Sequence, residues 1–505
     1  MKKIKELIKE YKTIILIGII INLIVHLPLF TKNILTADVL LNTGYYSGYS
    51  WEISLGRFGL YFIGLLKGFV VIPQIEIFLS ILLLIASIIL IFDLFEIKNK
   101  LVQLLVTIIV SVSPIVSATL LFHYCSFPYF LAFFSGILAI WILTKVKHKV
   151  YKYILPIGLI ALSLSMYQAY LAIPITLLLL FWMIKIIKKD FKWKDFFLSF
   201  GMIIIGTILY YVLMKLSLII FQIDLNSYRG ANTLSIKTIL EIPSRILNSY
   251  QNFYDFYFTN NIVNNSNVFL NILNIFLLIF LIICCITTLI RKKISWKYCL
   301  LFIILLLLLP IAINIITILL PNTSMQLLMS SGYLLIFFLL AYLVQKNKIS
   351  KIIFIILAVI ISRGYIIQDN ATYQTLENTY YKTHAIASDI KEEIKNLDYN
   401  KDIMITGSLD QNEYYMKTKT TELKNISKLT YGFVSNYSLF WSEFTNMKNG
   451  WSRFMETYLD FPITFVDLET YQKILETNEY KDMKPYPNKD SIQEIDNVIV
   501  IKLSN

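Results

Sequence analysis

Long apolar runs, parted by short polar stretches, fill the chain as far as residue 368. An apolar helix needs about 20 residues to cross a bilayer core of roughly 30 Å. Eleven runs meet or approach that length, near residues 13–30, 73–95, 101–122, 127–144, 153–167, 170–187, 196–221, 268–290, 298–320, 325–344 and 351–367. They are continuous, as in 79–92, whereas the strands of an outer-membrane barrel alternate apolar and polar positions. Three polar segments interrupt the pattern: 31–72, 222–267 and everything after 368. In the first, Gly56-Arg57-Phe58 followed by Leu60, Phe62, Ile63, Leu66 and Phe69 predicts an interfacial or re-entrant helix. The second carries Ile239, Ile246, Leu247, Tyr250, Phe253, Tyr254 and Tyr257 at helical spacing, which predicts a helix at the lipid surface. In the last, strand-like runs at 402–406, 463–466 and 498–503 alternate with helical stretches at 385–397 and 468–477. That alternation predicts a small α/β domain.

Composition narrows the class. Of 505 residues, 57% are hydrophobic and 16% charged, which excludes a water-soluble fold. Thirty-four Phe and 33 Tyr against 17 Gly and 12 Pro exclude a disordered or fibrous chain. What remains is an α-helical polytopic membrane protein of about 11 transmembrane helices with a small C-terminal α/β domain. Charge orients it. Up to Gln368 there are 31 Lys and Arg against 12 Asp and Glu; from Asp369 onward there are 15 against 21. The basic residues gather in alternate short loops, at Lys98 and Lys100, Lys145 to Lys152, Lys188 to Lys194, Arg291 to Lys297 and Lys346 to Lys351. By the positive-inside rule these loops and the N-terminus are cytoplasmic. The chain then divides into a transmembrane domain, 1–367, with outer loops 31–72 and 222–267, and an extracytoplasmic α/β domain, 368–505, placed at the cell membrane. Base confined to short loops marks a lipid bilayer as partner and not nucleic acid. The four cysteines, Cys125, Cys284, Cys285 and Cys299, have no disulfide or metal spacing. The first run lacks a small-residue cleavage site and is expected to stay in place.

Charges near a bilayer are costly, so those on the outer side are the functional candidates. Asp38, Tyr45, Tyr46, Tyr49, Trp51 and Arg57 lie within about 20 residues of one another and combine a carboxylate, aromatic rings and a cation. Aromatics stack on sugars and an arginine fork holds phosphate, which suits sugar transfer from a lipid phosphate. The same Tyr and Trp equally fit an interfacial belt. Lys215, about two turns below the outer end of its run, either snorkels to headgroups or binds phosphate, with Arg229 of the second loop as a further cation. His123 stands in a short outer loop, where a solvated side chain is the plainer reading. Tyr167 and Gln168 sit between the fifth and sixth runs, where a tight hairpin needs polar residues in any case. The last segment has no glycine-rich phosphate loop and no metal spacing.

The order of Thr36-Ala37-Asp38, Trp51, Gly56-Arg57-Phe58 and Leu162-Ser163-Leu164-Ser165-Met166-Tyr167-Gln168-Ala169-Tyr170 resembles the bacterial GtrII-type glucosyltransferases, of the multi-spanning GT-C class. The likeness runs from about residue 10 to the end, where Pro485-Tyr486-Pro487 precedes a terminal strand. It implies transfer of a hexose, glucose foremost, from a polyprenyl-phosphate-linked sugar donor to a cell-surface glycan acceptor on the outer face, with inversion. It further implies Asp38 as general base with Glu52 in reserve, Arg57, Lys215 and Arg229 at the donor phosphate, and Trp51, Tyr45, Tyr167, Gln168 and His123 as sugar or acceptor contacts. Many members carry two adjacent acids in the first outer loop. Here Asp38 is flanked by Ala37 and Val39, so a metal site built on a carboxylate pair is not expected and a divalent cation is at most an assistant.

Two other classes fit a multi-spanning chain. A flippase or transporter of lipid-linked saccharides needs a polar path and usually internal repeats, and neither stands out here. A glycan polymerase or ligase usually carries a large arginine-rich outer loop, whereas the second loop holds only Arg229 and Arg245.

Overall fold

The structure is a computed structural model and describes residues 2–46, 48–228, 240–259, 268–320, 325–397, 400–417, 439–440 and 443–505. The chain divides into two compact units, Met1–Phe30 with Gly44–Asp369, and Thr31–Thr43 with Asn370–Asn505.

The first unit is a helical bundle. Among the described residues, eight helices are long and apolar enough to cross a membrane: Pro73–Phe95, Ser126–Lys145, Lys149–Met166, Gln168–Ile187, Trp193–Phe221, Leu270–Arg291, Trp296–Ile313 and Lys348–Leu397. A ninth span arises if Lys100–Ser111 and Pro114–Leu120, bent by 48°, count as one. The bend has a local cause: Pro114 lacks a donor, and its ring crowds the preceding turn. Two of the eleven expected spans look different. Lys2–Val25 carries Lys9, Glu10 and Lys12 in its first half, breaks at His26 and Leu27, and continues only as the short Pro28–Thr31 helix. The tenth begins as two 3-10 turns, Leu327–Met329 and Ser331–Tyr333, before the α-helix Leu334–Val344.

Close packing joins the spans. Helix Lys149–Met166 packs against both Ser126–Lys145 and Trp193–Phe221. At its crossing with the latter stands Gly206, where a Cβ would fall 2.8 Å from the Ile160 Cβ and 3.1 Å from the Ile157 carbonyl oxygen. Some buried polar groups inside the bundle are paired across helices, where a lipid-like interior makes such bonds valuable. Asn22 donates to Ser111 Oγ at 2.7 Å, and Asn314 donates to Tyr333 Oη at 3.0 Å. The second loop forms the helix Ile242–Tyr254 and a π-turn, Asp255–Thr259. One face of that helix is packed on protein: the buried Arg245 donates to the Ile318 carbonyl at 3.0 Å, and Ser249 meets Thr317 at 3.0 Å. Leu247 and Tyr254 on its other face are exposed.

Lys348–Leu397 is a single helix of 50 residues, in place of a span ending near 367 and a separate helix from 385. Its only glycine, Gly364, is in the apolar part, and no proline interrupts it. Nothing local therefore stops the helix.

In the second unit, β1 (Ile403–Thr406), β2 (Ile492–Ile495) and β3 (Val498–Lys502) form a sheet in the order β1-β3-β2. β1 runs parallel to β3 and β2 antiparallel to it. Asp496 and Asn497 close the β2–β3 hairpin with φ of 49° and 64°, the left-handed pair that a two-residue turn of the right twist requires. The expected strand at 463–466 amounts to a single bridge from Phe465 to Ile403, and β2, whose first residues are only half-buried, is a strand the sequence did not announce. Met404, Val466, Ile474, Met483, Ile495, Val498 and Val500 make the core. The segment Thr31–Thr43 belongs here as well. Its helix Ala37–Leu41, capped by Thr36, packs against Phe444–Leu459, and Lys32 pairs with Glu377.

The Gly206 crossing tolerates no side chain. Gly206→Val is expected to destabilise the purified protein by about 1–3 kcal/mol through overpacking. Gly201→Ala, whose Cβ meets nothing within 4 Å, leaves the thermal midpoint nearly unchanged. Equal midpoints for the two variants in a thermal melt would refute this.

Candidate active site

The segment from Gly44 to Val71 is tied at its ends by backbone. Tyr46 N–H donates to the Phe69 carbonyl at 3.0 Å, and Val71 N–H donates to the Gly44 carbonyl at 3.0 Å. Between these ties lie two short helices, Tyr49–Ser54 and Phe58–Leu66. The joint is Gly56 at φ +80°, where a Cβ would stand 2.7 Å from the Tyr210 hydroxyl and 2.8 Å from the Met214 sulfur. Left-handed backbone and close approach together require glycine there. The turn is held from outside by Gln168, which donates to the Leu55 carbonyl at 2.6 Å and to Tyr210 Oη at 2.9 Å, while Tyr210 Oη donates to the Gly56 carbonyl at 3.1 Å.

This turn brings Arg57 back onto Glu52. The Arg57 backbone N–H donates to the Glu52 carbonyl at 2.8 Å, and its guanidinium pairs with the Glu52 carboxylate at 3.2 Å. The other carboxylate oxygen accepts from Tyr46 Oη at 2.6 Å. The guanidinium lies over the Tyr167 ring, 4.7 Å from its centroid, and Tyr167 stacks on Tyr129 at 4.8 Å. A second cation adjoins: Lys67 pairs with Glu76 and donates to the Tyr124 carbonyl at 3.2 Å, and the Tyr124 ring packs against Tyr46 at 4.9 Å.

The pairing decides the charges. Burial works against the Arg57 cation, but the Glu52 carboxylate beside it prevails and holds its pKa above the ordinary value, so it stays charged. Burial, then Glu52, pushes the Tyr46 hydroxyl well up, so it remains a donor. Only 18% of the Arg57 side chain is exposed, yet its Nε is buried with no hydrogen-bond partner among the described residues. A guanidinium has five N–H groups to place, and Arg57 commits one of them to Glu52. A buried donor left without a partner is costly.

The other residues singled out in the sequence stand as follows. Arg57, Glu52, Tyr167 and Gln168 are together around the Gly56 turn. Tyr45 and Trp51 are about half exposed, Tyr45 edge-on to Phe69 and Trp51 edge-on to Tyr228. Lys215 is on the exposed side of Trp193–Phe221, with its ammonium 5.6 Å from the Tyr211 ring. His123 is buried, not solvated; burial lowers its pKa to about 4, so it is neutral at pH 7, and its Nε2 has no partner among the described residues. Asp38 is in the second unit, half-buried in the first turn of Ala37–Leu41. Arg229 lies outside the described residues. Sequence reasoning missed Tyr129, Tyr210 and Tyr124. The first two are tyrosines inside apolar spans, and nothing in the sequence sets them apart from the chain's many other tyrosines.

No curated protein and no solved structure matches the chain. Residues 27–339, which include Asp38 and the whole Glu52–Arg57 cluster, match the family described as Glucosyl transferase GtrII. That stretch is more than half of the chain, and the protein belongs to this family of glycosyltransferases.

Proposed function

We propose that the protein transfers a glucosyl group from a polyprenyl-phosphate sugar to a hydroxyl of a cell-surface glycan on the outer face of the membrane, inverting the anomeric carbon. The observation that supports this reading most is the enclosed guanidinium of Arg57, aligned by Glu52 and Tyr167 and short of hydrogen-bond partners. A phosphodiester sugar donor suits it by charge and by shape, since a planar fork of donors matches two phosphate oxygens.

The chemistry then divides between two groups. The acceptor oxygen attacks the anomeric carbon while the bond from that carbon to the phosphate oxygen breaks, and the departing polyprenyl phosphate takes the electron pair. Arg57 stabilises the negative charge that grows on it, an effect worth most in a site closed to water. The acceptor hydroxyl turns acidic only as the oxocarbenium-like transition state develops, so one carboxylate suffices as base, and Asp38 takes that proton. Glu52 is engaged by Arg57 and Tyr46 and acts by positioning the cation. Tyr45 and Trp51, near this cluster in sequence and half exposed, are sugar or acceptor contacts together with Tyr167, Gln168 and His123, and Lys215 and Arg229 are further cations for the donor phosphate.

Purified protein given radiolabelled polyprenyl-phosphate glucose and acceptor tests both roles. Asp38→Asn is expected to lower kcat by about 10²-fold or more with little change in KM for the donor. Near-normal turnover in a folded variant removes Asp38 as base. Arg57→Gln is expected to lower kcat by about 10²- to 10³-fold, and Arg57→Lys, which keeps the charge but not the fork, recovers part of the loss. Should Arg57→Gln retain wild-type turnover and donor affinity while remaining folded, the donor site is elsewhere.

A further inference from the structure

Away from the Glu52–Arg57 cluster, four helices of the first unit bring their lysine-rich ends together: the end of Ser126–Lys145, the start of Lys149–Met166, the end of Gln168–Ile187 and the start of Trp193–Phe221. They border a cavity of about 140 Å³, room for several water-sized groups. Lys152, Lys185, Lys192, Asp190, Asp195 and Trp182 are in its wall.

The ion pairs around it leave an imbalance. Lys185 pairs with Asp190, Lys188 with Glu96 at 2.6 Å, and Lys145 with Asp93 at 3.9 Å. Among the described residues, Lys152 and Lys192 have no carboxylate within ion-pair reach, although Lys192 still acts on Asp190 through space. Asp195 likewise has no cation at that distance among them. Among the described residues the wall therefore offers two ammoniums and one carboxylate that are in no ion pair, the Lys152 ammonium lying 5.5 Å from the Tyr153 ring. Trp182 and Ser199 in the wall are already engaged, the indole N–H donating to Ser199 Oγ at 3.0 Å and that hydroxyl donating to the Phe196 carbonyl at 2.7 Å. Leu155, one turn from Lys152 on the same face, and Ile205, two turns from Leu198 of the cavity wall, are both exposed apolar side chains. They lead away from the lysines along the lipid-facing surface.

We infer that this cavity binds the phosphodiester headgroup of an anionic phospholipid, of the phosphatidylglycerol type: Lys152 and Lys192 hold the phosphate, Asp195 accepts from a headgroup hydroxyl, and the acyl chains lie along Leu155 and Ile205. A soluble phosphate has no use for that apolar exit, and a headgroup carrying a second negative charge meets Asp195 unfavourably. Basic pockets between membrane helices recognise anionic headgroups on these grounds. The proposal is independent of the sugar-transfer reading.

The test is native mass spectrometry of the full chain released from nanodiscs of equal phosphatidylglycerol and phosphatidylcholine. Wild type is expected to retain phosphatidylglycerol preferentially. Lys152→Gln and Lys192→Gln each weaken that retention roughly fivefold, and the double variant abolishes the preference. Lys147→Gln with Lys194→Gln, exposed lysines at the same end but outside the cavity wall, serves as the control and is expected to match wild type. Undiminished retention in the folded double variant overturns the proposal, and so does an equal loss in the control, which indicates diffuse surface charge. Glycerol phosphate without acyl chains displacing the lipid at equal concentration also overturns it, in favour of a soluble anion.

Discussion

A guanidinium withdrawn from water has to be met by a carboxylate, and the Glu52–Arg57 pair imposes that condition on the segment around it. Glu52 ends up between Arg57 and Tyr46, so two residues well apart in sequence share one carboxylate. To bring them there the chain reverses within a few residues, which is the work of Gly56 in a left-handed conformation. Gln168 and Tyr210, from two membrane helices, then secure the carbonyls on either side of that reversal. Such a network is costly to leave half made, since each member removed leaves a buried polar group unmet. Its rigidity is what holds one cation in place although its Nε has no partner among the described residues.

The membrane architecture was largely legible because its cause is local. Runs of Leu and Ile long enough to cross a bilayer fix the presence of helices, and among the described residues eight of them are long and apolar enough to be spans. The misjudged cases have non-local or subtle causes. Pro114 splits one run without making it less apolar, and Lys9, Glu10 and Lys12 shorten the apolar part of another. The 50-residue helix looks like two in the sequence because its hydropathy changes near residue 368, although helix formation depends on backbone continuity and not on polarity. In the second unit, β2 was invisible because a half-buried strand such as Ile492–Ile495 carries little apolar signal, while the apolar 463–466 run pairs at only one residue.

The candidate site was legible in part. Arg57, Glu52, Tyr167 and Gln168 could be named because charged and amide groups beside apolar runs are conspicuous. That Gln168 serves the Gly56 turn, or that Tyr129 underlies Tyr167, depends on which helices are neighbours, and periodicity carries no such information. The grouping of Thr31–Thr43 with residues after 370 was equally out of reach, since it rests on tertiary packing of a five-residue helix against Phe444–Leu459.

The break at Ser113 and Pro114 has a bearing on how the bundle is assembled. Beyond it the Ile115 N–H turns to Ser113 Oγ, so the carbonyl of Ser111 is stranded without its helical donor. That acceptor is taken up by His26 at 3.0 Å, with Asn22 on the same residue's hydroxyl. Both partners come from the helix Lys2–Val25 and the turn after it, made long before by the ribosome. The interrupted helix therefore cannot settle in hydrocarbon by itself at low cost. It has to wait for, or leave the insertion machinery together with, that earlier segment, so the order of synthesis and the order of partnership coincide.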